Sequence, residues 1–189
     1  MGSVEKIYPE EAIAERVAAI AAEIAAGTPD HLLVIVVLKG GFVFAADLVR
    51  ELARLDVRLE VEFISLSSYG KGLTSSGEVR IYRDIGCPVT GRDVLIVDDV
   101  LDSGLTVKFA RDLMKSRGAR RVAVAAMVDK PERRNTKIQA DYVGFTCPDY
   151  FVVGYGMDAG HAWRELPYIA VYHGDNCEDG GEDGGEDGK

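Results

Sequence analysis

Residues 94–106, VLIVDDVLDSGLT, constrain the fold more than any other stretch of this chain. The four apolar residues 94–97 fit a buried strand, and two acids, Asp98 and Asp99, stand at its end. The loop Asp102-Ser103-Gly104-Leu105-Thr106 then leads into a helix over residues 105–117. Loop hydroxyls, a glycine and the free N–H groups of a helix start form a cradle for a phosphate monoester. Adjacent carboxylates above such a cradle can hold the vicinal diol of a sugar. Together these residues read as a seat for a ribose 5-phosphate. Read singly, the acids would only cap a strand end and a helix.

The strand-then-helix pattern recurs. Residues 9–26 read as an amphipathic helix, with Ile13, Val17, Ile20 and Ile24 at helical spacing and Gly27-Thr28-Pro29 ending it. Residues 31–38, HLLVIVVL, fit a buried strand broken by Gly40-Gly41, and residues 42–55 resume helical periodicity. Residues 57–66 and 122–128 are further strand candidates. Strands alternating with helices predict an α/β fold, a twisted, mainly parallel sheet flanked by helices. After Pro131 the pattern shortens to pieces at 141–145, 151–153, 160–165 and 168–172, which read as a small hood laid over the strand ends. The expectation is one domain over residues 1–174, its hood drawn from the N-terminal region and roughly residues 141–172. In open α/β sheets the ligand crevice lies beyond the carboxyl ends of the strands, where the polar residues of this chain gather.

Charge separates the remainder. The formal net charge is −9, and residues 175–189, DNCEDGGEDGGEDGK, hold seven acids against one lysine. That segment has no apolar area to offset its ordering entropy, so it reads as a disordered, solubilising tail. The body then has no dominant basic face, which argues against nucleic acid as a partner. Residues 67–77, SSYGKGLTSSG, bury almost nothing and read as a mobile loop or hairpin tip. No apolar run approaches the roughly 20 residues a bilayer span needs. The opening MGSVEKIYPE lacks a signal-peptide core, and Lys6 stands where a myristoylation signal wants a hydroxyl. Cys87, Cys147 and Cys177 are odd in number and widely spaced, as reduced thiols of a cytoplasmic protein would be.

On these residues the chain resembles the type I phosphoribosyltransferases, and more narrowly the hypoxanthine-guanine phosphoribosyltransferase family, from Lys39 to Tyr172. The resemblance implies a ribose and 5-phosphate site at Asp98, Asp99, Asp102, Ser103, Gly104, Leu105 and Thr106. Leu38-Lys39-Gly40-Gly41 resembles the family's diphosphate loop, in which the peptide joining residues like Leu38 and Lys39 is often cis. A glycine pair lets backbone N–H groups approach an anion, and Lys39 adds a cation. Ser68-Tyr69-Gly70 matches the start of the family's flexible catalytic loop, whose closure would exclude water. Lys130 matches the lysine that donates to the purine 6-oxo group. In Phe151-Val152-Val153-Gly154-Tyr155-Gly156-Met157-Asp158, Phe151 resembles the aromatic that stacks on the purine. Backbone groups around Val152 and Asp158 would read the base edge. The Asp158 carboxylate would join Asp98 and Asp99 in holding magnesium, and Arg164 would reach the diphosphate. Two positions depart from the pattern. Asp98 stands where many members carry glutamate, and Leu105 replaces a basic residue found in some.

The implied reaction is purine salvage. Hypoxanthine or guanine and phosphoribosyl diphosphate would give IMP or GMP and pyrophosphate, with magnesium neutralising the leaving group and Asp102 accepting a proton from purine N7 as N9 attacks. Two alternatives stay open: a xanthine-preferring transferase, and a non-catalytic regulator that senses the donor on the same fold. The resemblance also implies a homo-oligomer, dimer or tetramer, with the helix at 42–55 as a candidate contact. Gly154-x-Gly156-x-x-Ala159 satisfies a loose dinucleotide fingerprint but has no strand-helix-strand unit around it. His31, His161 and His173 lack metal-ligand spacing and read as structural.

Overall fold

The computed structural model describes residues 2–27, 31–68 and 79–174. Tyr69, the rest of the loop to Gly77, and the acidic tail lie outside the described residues. In chain order the elements are β1 (Ser3–Tyr8), α1 (Glu10–Ala26), β2 (Leu32–Leu38), α2 (Phe42–Arg54), β3 (Leu59–Ser68), β4 (Val79–Arg83), β5 (Asp93–Leu101), α3 (Leu105–Ser116), β6 (Arg121–Asp129), a 3₁₀ turn (Pro131–Arg133), β7 (Tyr142–Thr146), β8 (Val152–Val153) and β9 (Ile169–His173).

Six strands form one sheet in the order β4-β3-β2-β5-β6-β7, parallel throughout except for β4. The strand runs of 32–38, 93–101 and 121–129 are apolar without alternation because both faces are covered. The pleat divides them. Val34, Val36, Leu95, Val97, Ala125 and Met127 face the core shared with α1 and α2. Leu33, Ile35, Val94, Ile96, Val124 and Ala126 face α3 through Val107, Ala110 and Met114. Helix α1 turns Ile13, Val17, Ile20 and Ile24 inward, the spacing seen in the sequence.

A second sheet, β1-β9-β8, is antiparallel. Its Val152 and Ile169 join the α1/α2 core. Tyr8 at the end of β1 stacks on Phe145 of β7 at 4.0 Å and donates to the Thr146 carbonyl at 3.1 Å, which ties the two sheets together. Residues 142–146, expected in the hood, instead form the edge strand β7 beside β6. A parallel partner distant in sequence decides this. Two strands carried no apolar signal: β1 has no buried residue, and β4 has one half-buried residue among exposed ones. No helix among the described residues is long and apolar enough to cross a membrane.

Candidate active site

The site opens where β5 loses one of its two neighbours. β2 accompanies β5 only as far as Val36 opposite Val97, whereas β6 stays paired with it to Leu101. The strand therefore runs on through Asp98 and Asp99. The expectation that it ends at Val97 holds only on the β2 side. There the backbone beyond Val97 is free of the ladder, and a cleft of about 320 Å³ forms. Lys39, Gly40, Asp98, Asp99, Asp102, Ser103, Gly104, Thr106, Asp158 and Arg164 all line it.

Asp98 is buried, and burial, followed by the charge of adjacent Asp99, holds its carboxyl well above the usual carboxylate range. Its Oδ1 accepts the Asp99 N–H at 3.0 Å, and Asp99 Oδ1 accepts the Val100 N–H at 2.9 Å. Asp99 lies so close over Gly40 that a Cβ there would stand 1.6 Å from Oδ2. From the other side Gly156 presses on the Gly40 carbonyl, where its own Cβ would fall within 2.2 Å. The diphosphate-loop candidate is thus clamped between β5 and the turn after β8, and its Leu38–Lys39 peptide is cis.

Gly104 precedes α3 with φ 82°, a left-handed conformation that disfavours any side chain. The first helical bond is Lys108 N–H to the Gly104 carbonyl at 2.9 Å, so the amides of Leu105, Thr106 and Val107 come before the ladder starts. Ser103 Oγ accepts the Leu105 N–H at 3.4 Å. These amides form the helix-start cradle that the sequence implied. Asp102 does not cap α3, which has no side-chain cap. Its Oδ1 instead lies 2.8 Å from Arg133 Nε.

The loop is braced from behind by residues that sequence reasoning missed. Arg134 donates to the carbonyls of Asp102 at 2.9 Å, Leu101 at 3.1 Å and Ile138 at 2.6 Å, and pairs with Asp129. The Asn135 N–H donates to the Ser103 carbonyl at 3.0 Å. Two consecutive arginines shortly after Lys130 were the available signal, but charge in a loop has no periodicity to give it away.

Lys130, Phe151 and Val152 stand outside the cleft lining, and of the three, Lys130 bonds to a lining residue. The Lys130 N–H donates to the Leu101 carbonyl at 3.1 Å, and its buried Nζ donates to the Tyr150 carbonyl at 2.6 Å. Phe151 is exposed, its ring 5.9 Å from that of Tyr172, while Val152 is locked in β8 opposite Val171. Trp163, the chain's single tryptophan, lies 6.3 Å from the same tyrosine ring and adopts φ 79°. Ser68 ends β3 opposite Val79.

Arg164 Nη2 pairs with Asp158 Oδ1 at 2.6 Å, and Nη1 donates to the Gly156 carbonyl at 2.6 Å. The other Asp158 oxygen accepts the His161 N–H at 2.8 Å. Asp98, Asp99 and Asp158 share the cleft but do not converge, and no metal-ready group of three ligands forms among the described residues. A ready-made three-acid cage is therefore not part of this site. The residues still fit magnesium, which commonly takes one or two carboxylates and completes its shell with water and substrate phosphates. Asp98 and Asp99, adjacent acids of the cleft lining, are of that kind.

The model of the phosphoribosyl transferase domain family matches residues 3–159. The chain is 44% identical over 170 residues to the hypoxanthine-guanine phosphoribosyltransferase of Bacillus subtilis, covering 89% of this chain and 93% of that one. It is 49% identical over 139 residues to the bifunctional protein TilS/HprT of Listeria monocytogenes, 74% of this chain but only 21% of that longer protein. Among solved structures, a hypoxanthine phosphoribosyltransferase from Staphylococcus aureus superposes with TM-score 0.84 at 37% identity, over 88% of this chain and 90% of that one. By fold, cleft and sequence this chain belongs to the phosphoribosyl transferase domain family, among its hypoxanthine-guanine phosphoribosyltransferases.

Proposed function

We infer that this chain is a purine salvage enzyme that transfers the 5-phosphoribosyl group of phosphoribosyl diphosphate to N9 of hypoxanthine or guanine, yielding IMP or GMP and pyrophosphate. One observation carries the reading. A single cleft joins an acid pair, a helix-start cradle and a lysine-glycine loop, with Lys130 bonded to the backbone of its rim.

The amides at the start of α3, with Ser103 and Thr106, bind the 5-phosphate, and Asp98 and Asp99 orient the ribose hydroxyls. Lys39, Gly40 and Arg164 hold the diphosphate. Phe151 stacks on the purine, and Lys130 exchanges part of its bond to Tyr150 for one to the 6-oxo group. Backbone groups at Val152 and Asp158 read the remaining edge. As the bond from ribose C1 to the diphosphate breaks and the N9–C1 bond forms, Asp102 takes the N7 proton. A carboxylate is a weak base, so its placement beside the ring contributes much of its effect. Magnesium held by Asp98, Asp99 or Asp158 supplies charge neutralisation of the leaving diphosphate.

The chain works in the cytoplasm, a reading supported by unpaired Cys87 and Cys147. It works as a homo-oligomer, dimer or tetramer. Phe42 and Leu55 at the ends of α2 and Val61 and Phe63 of β3 are exposed apolar residues that a second copy would cover. A spectrophotometric assay with phosphoribosyl diphosphate, magnesium and each of hypoxanthine, guanine and xanthine tests the activity. Turnover of the first two supports it. Turnover of xanthine alone reassigns the base, and turnover of none overturns the catalytic reading.

A further inference from the structure

The consecutive arginines after Pro131 face different tasks. Arg134 is largely buried and spends its donors on the loop backbone. Arg133 is half exposed and reaches two carboxylates. Its Nε lies 2.8 Å from Asp102 Oδ1, and its Nη1 donates to Asp149 Oδ1 at 3.1 Å and Oδ2 at 3.3 Å. The guanidinium is therefore held at both ends. Asp149 directly precedes Tyr150, whose carbonyl receives Lys130, and Phe151 follows. The bridge Asp102–Arg133–Asp149 thus spans from the loop before α3 to the segment that presents the purine-stacking side chain.

Asp102 needs such a tether. Its side chain is 41% exposed in the loop before α3, while its Oδ1 is buried. Its Oδ1 has no aligned hydrogen bond, so the Arg133 contact is an ion pair that orients the group. Exposed ion pairs contribute little to stability, so the value of this one is geometric. A proton acceptor is effective only when held within reach of the proton in the reacting geometry.

We propose that Arg133 is a positioning residue for Asp102, fixing its carboxylate relative to the purine-binding segment through the bridge to Asp149. This rests on the reading of Asp102 as the proton acceptor. Arg133→Gln, Asp102→Asn and the double variant, assayed by steady-state kinetics with hypoxanthine and guanine, separate the two claims. Arg133→Gln is expected to lower kcat roughly tenfold, with the KM for phosphoribosyl diphosphate within about twofold and the thermal midpoint unchanged. Arg133→Lys, which keeps the charge but cannot reach both acids, is expected to recover part of the loss. In the Asp102→Asn background Arg133→Gln is expected to cost nothing further, since its effect passes through that carboxylate. Wild-type kcat in Arg133→Gln, or an equal cost in both backgrounds, overturns the positioning role. Normal turnover by Asp102→Asn alone overturns instead the proton-acceptor reading on which it rests. Should Arg133→Gln fail to fold, Arg133→Lys and Asp149→Asn make the same comparison in each background.

Discussion

The Tyr155 hydroxyl donates a 2.5 Å hydrogen bond to Asp47 Oδ2, fastening the turn after β8 to the middle of α2. That turn carries Gly156, which presses on Gly40, so the bond holds the turn over the lysine-glycine loop from the helix that follows the loop. Burial and then the bond to Asp47 raise the phenol far above its ordinary value of 10, so it stays a donor at every working pH. Tyr155→Phe is expected to cost about 1–2 kcal/mol in urea unfolding and to raise the KM for phosphoribosyl diphosphate. The folded phenol binds its proton more tightly than the unfolded one. Its stabilisation is therefore complete below pH 10 and fades above it. Wild type should lose its advantage over the phenylalanine variant only on the alkaline side, which unfolding at stepped pH will read.

Arg134 and Gly104 belong to one brace. Arg134→Met leaves Asp129 and the Asp102 and Ile138 carbonyls without the Arg134 donor, and the Leu101 carbonyl with the Lys130 N–H alone; the loss is expected near 3 kcal/mol by denaturant unfolding. In Gly104→Ala the new methyl would fall 2.5 Å from both Ile138 Cγ2 and Thr136 Oγ1 at a φ of 82°. The cradle must move, so donor binding in calorimetry should drop by at least about tenfold, at roughly 1–2 kcal/mol in stability.

Asp98 works against the fold that holds it. It is buried beside a second carboxylate, and its charged form is the costly one. Asp98→Asn, unfolded without divalent cation, is therefore expected to be about 1 kcal/mol more stable, or roughly 2–4 °C in Tm. The same variant should bind phosphoribosyl diphosphate poorly. A lower Tm would show that the acid is stabilised by its surroundings.

Phe151 offers an exposed ring to a partner ring. Phe151→Leu keeps apolar bulk but loses the flat face, so the KM for hypoxanthine should rise by about 5- to 100-fold, the range of roughly 1–3 kcal/mol per stacked base. The KM for phosphoribosyl diphosphate should hardly change. An equal rise in both would mean that the side chain supports the small sheet and does not stack on the base.

The central strands were legible because both of their faces are covered, which makes β2, β5 and β6 nearly unbroken apolar runs. Where β5 ends was not, since its last residues are kept extended by the register with β6, a partner distant in sequence. The edge strands β1 and β4 escaped for the opposite reason. Their side chains are mostly solvated, and only the pairing of β1 with β9 and of β4 with β3 makes them strands. Residues 142–146 look the same whether they join a hood or a sheet edge, and only the parallel partner decides. In the site, spacing pointed to Asp98, Asp99, Ser103 and Gly104, which do gather at one cleft. Arg133 and Arg134 became visible only once chain folding had laid them behind the loop they hold.

One indole serves the whole protein, and it lies between β8 and β9 beside Tyr172 of the small sheet, which in turn neighbours the Phe151 ring. The molecule consequently carries a built-in optical probe on the proposed purine side and none in the six-stranded core. Selective excitation of that chromophore follows events around the base without any label, while the donor side stays spectroscopically silent. Emission changes on adding purine, set against those on adding phosphoribosyl diphosphate, will give the order in which the two substrates arrive.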